Sequence, residues 1–382
     1  MSKKVTKALI LCALMSLLTG CYPTGELEQP DKPAANNSTA ADSGELSEPA
    51  EFTMPNDLIN VKFTFELGDS YPTEAPVIKT KLRDFDVEEM KAMFIDGKTV
   101  TEELLMEDGG NFYTSDGEFL GIRKGRVTYA DEHRDDAEKN NIYNIQLTAV
   151  GNLRFFYLQY QNLDSELDGF PRSEALERAE EIVKKLDIKF LGEPKIYAFK
   201  SEDIINSFGG ITLDKEGHEQ SNDLPKEDEF YLVRYLGEYD GIPMPARVGG
   251  IFEDVYQANE QVDILLTKDS LVEISCNNIF DSIEAVDTTK IKCSAQTAVT
   301  NVRDYYSIND DQLPYRFEYE SMSISYITYE IDYDTGEYVF KPLWHMSGIR
   351  YYEDPDGYIG RKDVDKFTDP VTGYVYDGGD RM

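Results

Sequence analysis

The chain has 382 residues, and its 38 Lys and Arg face 73 Asp and Glu, a net charge of −35. That excess of negative charge repels phosphate backbones and anionic lipid headgroups, so nucleic-acid binding and basic-patch adhesion are excluded. With 41% hydrophobic residues, 25 Tyr and 19 Phe against one Trp, there is enough apolar material for a large core, much of it suited to half-buried strands.

Lys3, Lys4 and Lys7 form a basic start, and Ala8 to Leu18 is an apolar run too short to span a bilayer. The run closes with Leu18-Thr19-Gly20-Cys21, which looks like a bacterial lipobox. The resemblance implies that residues 1–20 are a lipoprotein signal peptide. It also implies that Cys21 carries a diacylglyceryl thioether and tethers the protein to the cell membrane, facing the exterior. Without residues 1–20, 35 basic residues remain against 73 acidic ones, a charge of −38. Residues 21–56 combine this cysteine with a stretch rich in Pro, Ser, Ala, Asn and Glu. It reads as a disordered stalk.

From 57 the pattern becomes α+β. Val61, Phe63 and Phe65 alternate as in a half-buried strand. Val87, Met90 and Phe94 have helical spacing, with Asp84 or Asp86 as cap. Phe112-Tyr113 and Phe119 to Ile122 flank Ser115-Asp116-Gly117, a hairpin signal, and 143–160 reads as one or two strands. Asp164 to Gly169 opens like an EF-hand loop but has Ala175 at the twelfth position and Pro171 within it, so it reads as an acidic turn.

A helix follows over about 173–187, capped by Ser173, with Ala175, Ala179, Ile182 and Leu186 as its stripe. Strands are expected at 230–235, 262–267 and 271–276, with a turn at Tyr239 to Pro243. A second helix, about 294–306, is capped by Ser294 and lined by Ala295, Ala298, Val299, Val302 and Tyr306. Strands at 323–332 and 337–346 close the pattern through Asp334-Thr335-Gly336, with Ile327, Tyr329 and Ile331 facing one way.

A capped Ala-containing helix leading to Tyr231, Val233 and Tyr235, then Asp240-Gly241-Ile242-Pro243, resembles the PepSY-like class of extracytoplasmic modules. Peptidase propeptides, germination proteins of the YpeB type and the YycH/YycI regulators of a sensor kinase fall in that class. Tyr338 to Trp344 looks like the Pro-x-Trp strand that ends such domains in those regulators. The layout resembles uncharacterised lipoproteins of Gram-positive anaerobes. The resemblance covers about 143–346. It implies antiparallel sheets each packed by a helix, in repeated modules, and a habit of binding or regulating other proteins. It transfers no catalytic residue.

The expected organisation is therefore a leader (1–20), the Cys21 stalk (21–56), an N-terminal α+β region (57–142) and a PepSY-like module (143–290). A second helix-plus-strands module (291–346) and a Tyr/Gly/Asp-rich tail (347–382) with a hairpin at Asp369 to Gly373 complete it.

Catalytic signatures are missing. His133, His218 and His345 are too far apart for a zinc helix, and there is no GxSxG, SxxK, Walker loop or GxGxxG. No catalytic, cofactor or metal residue is expected. Cys276 and Cys293 form an even pair that either bridges or stays as two buried thiols. The expectation is a non-enzymatic surface lipoprotein, bound to the membrane through Cys21, that binds an extracytoplasmic protein through exposed sheet edges or a Tyr-rich face. Solute or glycan capture is the alternative, and a carboxylate-based glycan hydrolase the next.

Overall fold

The computed structural model describes residues 54–376 except 56–57, 59, 69, 134–135, 156–162, 209–210, 214–218, 222–223, 246–259, 308–314, 333 and 354–358. The chain divides into Met1–Gly44 and Glu45–Met382, and everything described lies in the second unit. The leader, Cys21, His218, Tyr358 and nearly all of the stalk therefore lie outside the described residues.

In chain order the elements begin with β1 (Val61–Phe63), β2 (Glu74–Leu82), α1 (Val87–Phe94), β3 (Val100–Met106) and β4 (Gly109–Thr114). Then come β5 (Glu118–Arg123), β6 (Arg126–Asp131), α2 (Ala137–Phe155), α3 (Arg172–Lys185), β7 (Lys195–Phe199) and α4 (Ser201–Phe208). The short pair β8 (Ile211–Leu213) and β9 (Glu219–Ser221) precedes β10 (Phe230–Leu236), and β11 (Glu238–Tyr239) pairs with β12 (Ile242–Pro243). The rest is β13 (Gln261–Thr267), β14 (Leu271–Asn277), β15 (Phe280–Lys290), α5 (Ala295–Ser307), β16 (Arg316–Asp332), β17 (Glu337–Glu353), β18 (Ile359–Thr368) and β19 (Val375–Tyr376). This is an α+β fold of mostly antiparallel sheets with five α-helices among the described residues.

The first sheet runs β3-β4-β5-β6-β14-β13-β10-β7, antiparallel throughout. Helices cover both of its faces. On one, Met90 of α1 and Ala175 and Ala179 of α3 pack with Phe112, Val233 and Ile264. On the other, Tyr143, Ala149 and Val150 of α2 and Ile204 of α4 pack on Phe199, Phe230, Leu232 and Leu265.

The second sheet is organised by β17. One of its edges pairs with β16; the other pairs first with β2 and then with β18. Beyond these, β15 pairs with β2, β19 with β18, and β1 runs parallel to β16. Ala298, Val299, Val302 and Tyr306 of α5 press on one face, against Tyr319, Phe340 and Trp344. The opposite face holds the small cluster Ile327, Leu343 and Phe367.

Several expectations hold residue by residue. Asp86 caps α1 by accepting the Glu89 N–H at 2.9 Å. Ser294 caps α5 by accepting the Thr297 N–H at 3.2 Å, and the five stripe residues of α5 are all buried. Asp240 and Gly241 both take positive φ, the backbone of a tight hairpin between β11 and β12. Asp369 organises the expected C-terminal hairpin, accepting N–H groups from Val371 and Thr372.

Others are corrected. Residues 143–155 are helical, within α2, not strand. Tyr143, Gln146 and Val150 recur at helical spacing on the buried side, and Asp136 accepts the N–H groups of Glu138 and Lys139 at its start. Helix α3 begins after Pro171 with no side-chain cap, so Ser173 is not its cap. A bulge between Thr328 and Glu330 turns Tyr329 outward, breaking the alternation of Ile327, Tyr329 and Ile331. Much of 347–376 is not a tail, since β17 and β18 are integral to the second sheet. The stretch 57–142 is shared, β1 and β2 joining the second sheet and β3 to β6 the first. No described helix is long and apolar enough to cross a membrane.

Candidate functional site

The two core cysteines are free. Cys276 sits in the α3-side core of the first sheet and Cys293 in the α5 core of the second, so the bridging alternative is not realised. Burial pushes both thiols up, Cys293 to about 12, which leaves them inert near neutrality.

His133 has positive φ just after β6, with Nε2 3.1 Å from Asp131. His345 lies in β17 in a network that sequence spacing does not reveal. Its Nε2 meets Asp365 of β18 at 2.6 Å, its Nδ1 meets the Ser325 hydroxyl of β16 at 3.2 Å, and its ring stacks on Phe367 at 4.7 Å. Ser325 reaches Ser323 at 3.2 Å. The three residues come from neighbouring strands far apart in sequence, so only the sheet register brings them together. Ser325 is 1% exposed, which denies a substrate access to its hydroxyl.

Glu260, just before β13, is fully buried. One carboxylate oxygen accepts the Phe280 N–H at 3.2 Å and the other has no partner among the described residues. Burial raises its carboxyl to about 8. Glu118 is buried too, but is met by Lys98, by Thr114 at 3.1 Å and by Tyr129 at 2.7 Å. The acidic turn at 164–169 serves α3, where Glu166 accepts the Arg172 N–H at 2.7 Å and Asp168 pairs with Lys226 at 2.6 Å.

The described tyrosines of the C-terminal stretch sit in different environments. Tyr351 is half-buried in β17, hydrogen-bonded to Glu318 at 3.1 Å with Arg316 over its ring, whereas Tyr374 is exposed and meets Tyr376 edge-on at 5.2 Å.

The two sheet edges share charges and register shifts, and both expose apolar side chains, Val286 on β15 at 48% and three residues on β3. Among the described residues, strand β15 pairs only with β2, and its outward positions include Asp281, Glu284 and Asp287, with register shifts at two points. Charges and bulges are the usual defence of an open edge. Among the described residues, strand β3 pairs only with β4, and it ends in three exposed apolar residues, Leu104 at 53%, Leu105 at 66% and Met106 at 39%. Consecutive residues of a strand point to opposite faces, so Leu104 and Leu105 leave apolar surface on both sides of the edge. Glu102, Glu103, Glu107 and Asp108 surround them. The sequence shows the Glu-Glu-Leu-Leu-Met run, yet nothing in it reveals that this run forms a sheet edge with its apolar side chains exposed.

No family model and no curated protein matches the chain. A solved structure of an uncharacterized protein from Eubacterium rectale ATCC 33656 is similar, with a TM-score of 0.61 and 13% identity, over 85% of this chain and 91% of that one. At that identity the likeness shows the fold alone.

Proposed function

We propose that the chain is a non-enzymatic lipoprotein, anchored at Cys21 on the outer side of the cell membrane, that captures a protein partner by strand addition along β3. The lipobox-like ending Leu18-Thr19-Gly20-Cys21 supports the anchor. Two units support the reading as repeated PepSY-like modules, namely α3 with β10, β13 and β14, and α5 with β16 to β18. Each is an Ala-bearing helix packed on the antiparallel strands that follow it.

The observation that carries the binding reading is the open β3 edge with Leu104, Leu105 and Met106 exposed. An added strand satisfies the unpaired backbone groups of such an edge and buries its apolar side chains. The surrounding carboxylates select a partner strand with basic residues opposite Glu102 and Glu103.

A photo-crosslinking residue at position 104, in cells carrying the full chain, is the test. A discrete adduct that disappears when Leu105→Lys is added, and that position 284 on β15 does not give, supports the reading. Equal adducts at both positions, or none at 104, would sink it. Cys21→Ala should move the protein from the membrane fraction to the medium; retention at the membrane would remove the anchor.

A further inference from the structure

On the α2 side of the first sheet lies a cavity of about 410 Å³. It is bounded by the start of α2, the turn before β10 and the β13–β14 hairpin. Its walls bring five carboxylates, Asp131, Asp136, Glu138, Glu227 and Asp228, against Lys139 and His133. Asp136 is committed to the start of α2. Asp131 and Asp228 are held above the usual carboxylate range, chiefly because burial disfavours their charge. Glu118 adds to this at Asp131, where His133, Lys98 and Lys139 oppose it. Glu227 adds to it at Asp228, where His133 opposes it.

A separate observation concerns Gln146, which lines the cavity and is 2% exposed. Its side-chain N–H donates to the Asp228 carbonyl at 2.9 Å. That bond fixes the amide orientation and leaves the amide oxygen as an acceptor with no protein donor among the described residues. An acceptor that no protein donor meets, on a side chain only 2% exposed and beside partly desolvated carboxylates, suits a ligand that donates N–H and carries positive charge.

The walls also narrow the ligand. Ile142 and Val272 offer apolar surface for a methylene stem. The volume is that of a small-molecule site, and the described residues contain no group of three or more His, Cys, Asp or Glu fit to hold a metal ion.

We propose that this cavity binds a small organic cation, an alkylammonium or guanidinium group on a short methylene stem. The cation approaches Asp131 and Asp228, and the Gln146 amide oxygen accepts one of its N–H groups. The site lies on the interior strands of the sheet, away from β3, and does not depend on the strand-addition reading. The same chemistry is offered by a free amine or by a Lys or Arg side chain of a peptide.

Calorimetry on the full chain separates these sources, with spermidine and agmatine as free cations and a blocked Ala-Ala-Lys-Ala-Ala peptide as the third probe. Saturable one-to-one binding by any of the three is expected. Asp228→Asn and Gln146→Leu should each weaken it by about tenfold. Glu227→Gln, at an exposed position that tolerates the change, should weaken it by about threefold. Binding should also fall as the pH is lowered, with Asp131 and Asp228 taking up protons at a higher pH than ordinary carboxyls do. The distant pair Glu102→Gln and Glu103→Gln should leave it unchanged. An equal loss in that distant pair would reveal mere condensation of cations on an acidic protein and overturn the proposal. So would the absence of saturable binding by all three probes.

Discussion

The first sheet is covered by helices on both faces, whereas the second is covered by α5 on one face and shows only the small cluster of Ile327, Leu343 and Phe367 on the other. The strands record this difference. In β10 the run Phe230 to Val233 is buried without interruption, as is Val262 to Thr267 in β13. Two-sided burial favours near-continuous apolar runs, and the buried charge within β13, Asp263, is met by Arg234 at 2.7 Å. In β16 and β17 the face away from α5 instead carries polar groups, Ser323, Ser325, His345 and Ser347, with Asp365 beside them on β18. On that face Ser325 and His345 are buried beside Ile327, Leu343 and Phe367, so their polar atoms pair across strands.

The largest effect expected from this contrast is on stability. Phe230 is fully buried and stacks on Phe199 at 4.7 Å, so Phe230→Ala should cost about 4 kcal/mol. Leu343→Ala, in the small cluster, should cost about 2 kcal/mol because that site can collapse more freely. Equal shifts in the urea midpoint would erase the distinction between the two faces.

Strand contact inside the second sheet is tested by Gly348. A Cβ there would lie 2.6 Å from the Tyr319 Cα and 2.8 Å from the Glu318 carbonyl carbon, both backbone atoms of β16. Gly348→Ala should therefore destabilise by about 3 kcal/mol through overpacking. A urea midpoint within error of the parent would show that β16 and β17 can move apart at no cost.

A third test uses pH. Glu260 stays protonated in the folded state up to about 8, while its ordinary value is 4.5. Between those values the folded state holds a proton that the unfolded state has lost, so this group lowers stability as pH rises through the window and adds no slope above it. Glu260→Gln should remove that slope and gain on the order of 2 kcal/mol above about pH 8. Denaturation curves at several pH values read it directly, and an unchanged slope would mean that the carboxyl is solvated.

How much of this was legible in the sequence depends on whether the signal was local. The caps at Asp86 and Ser294, the stripe of α5 and the Asp240-Gly241 turn rest on contacts within a few residues, and each was readable. Residues 143–155 misled because their Tyr, Ile, Leu, Thr and Val suit a strand, while the spacing that α2 buries runs at three and four. The division of 57–142 between two sheets was hidden, since β2 finds β15 and β17 some 200 or more residues away. For the same reason neither the β3 edge nor the cavity was visible, as both are products of what packs beside them.

The smallest effect concerns the Ser325–His345–Asp365 network, and it separates a structural from a chemical role. In a serine hydrolase the carboxylate binds Nδ1 and the nucleophile faces Nε2. Here the carboxylate is on Nε2 and the serine on Nδ1. With Ser325 buried, the network is expected to hold three strands in register where α5 gives no support. Ser325→Ala should then cost about 1 kcal/mol, the value of one hydrogen bond. Asp365→Asn, which keeps the shape and removes the charge, should cost about 2 kcal/mol because a charge-assisted bond is lost. Neither should change the rate at which the full chain cleaves p-nitrophenyl acetate. If Ser325→Ala left the urea midpoint in place and abolished a measurable esterase rate, the buried serine would have to become accessible in solution, and the half-covered face, not the β3 edge, would be the place to look for function.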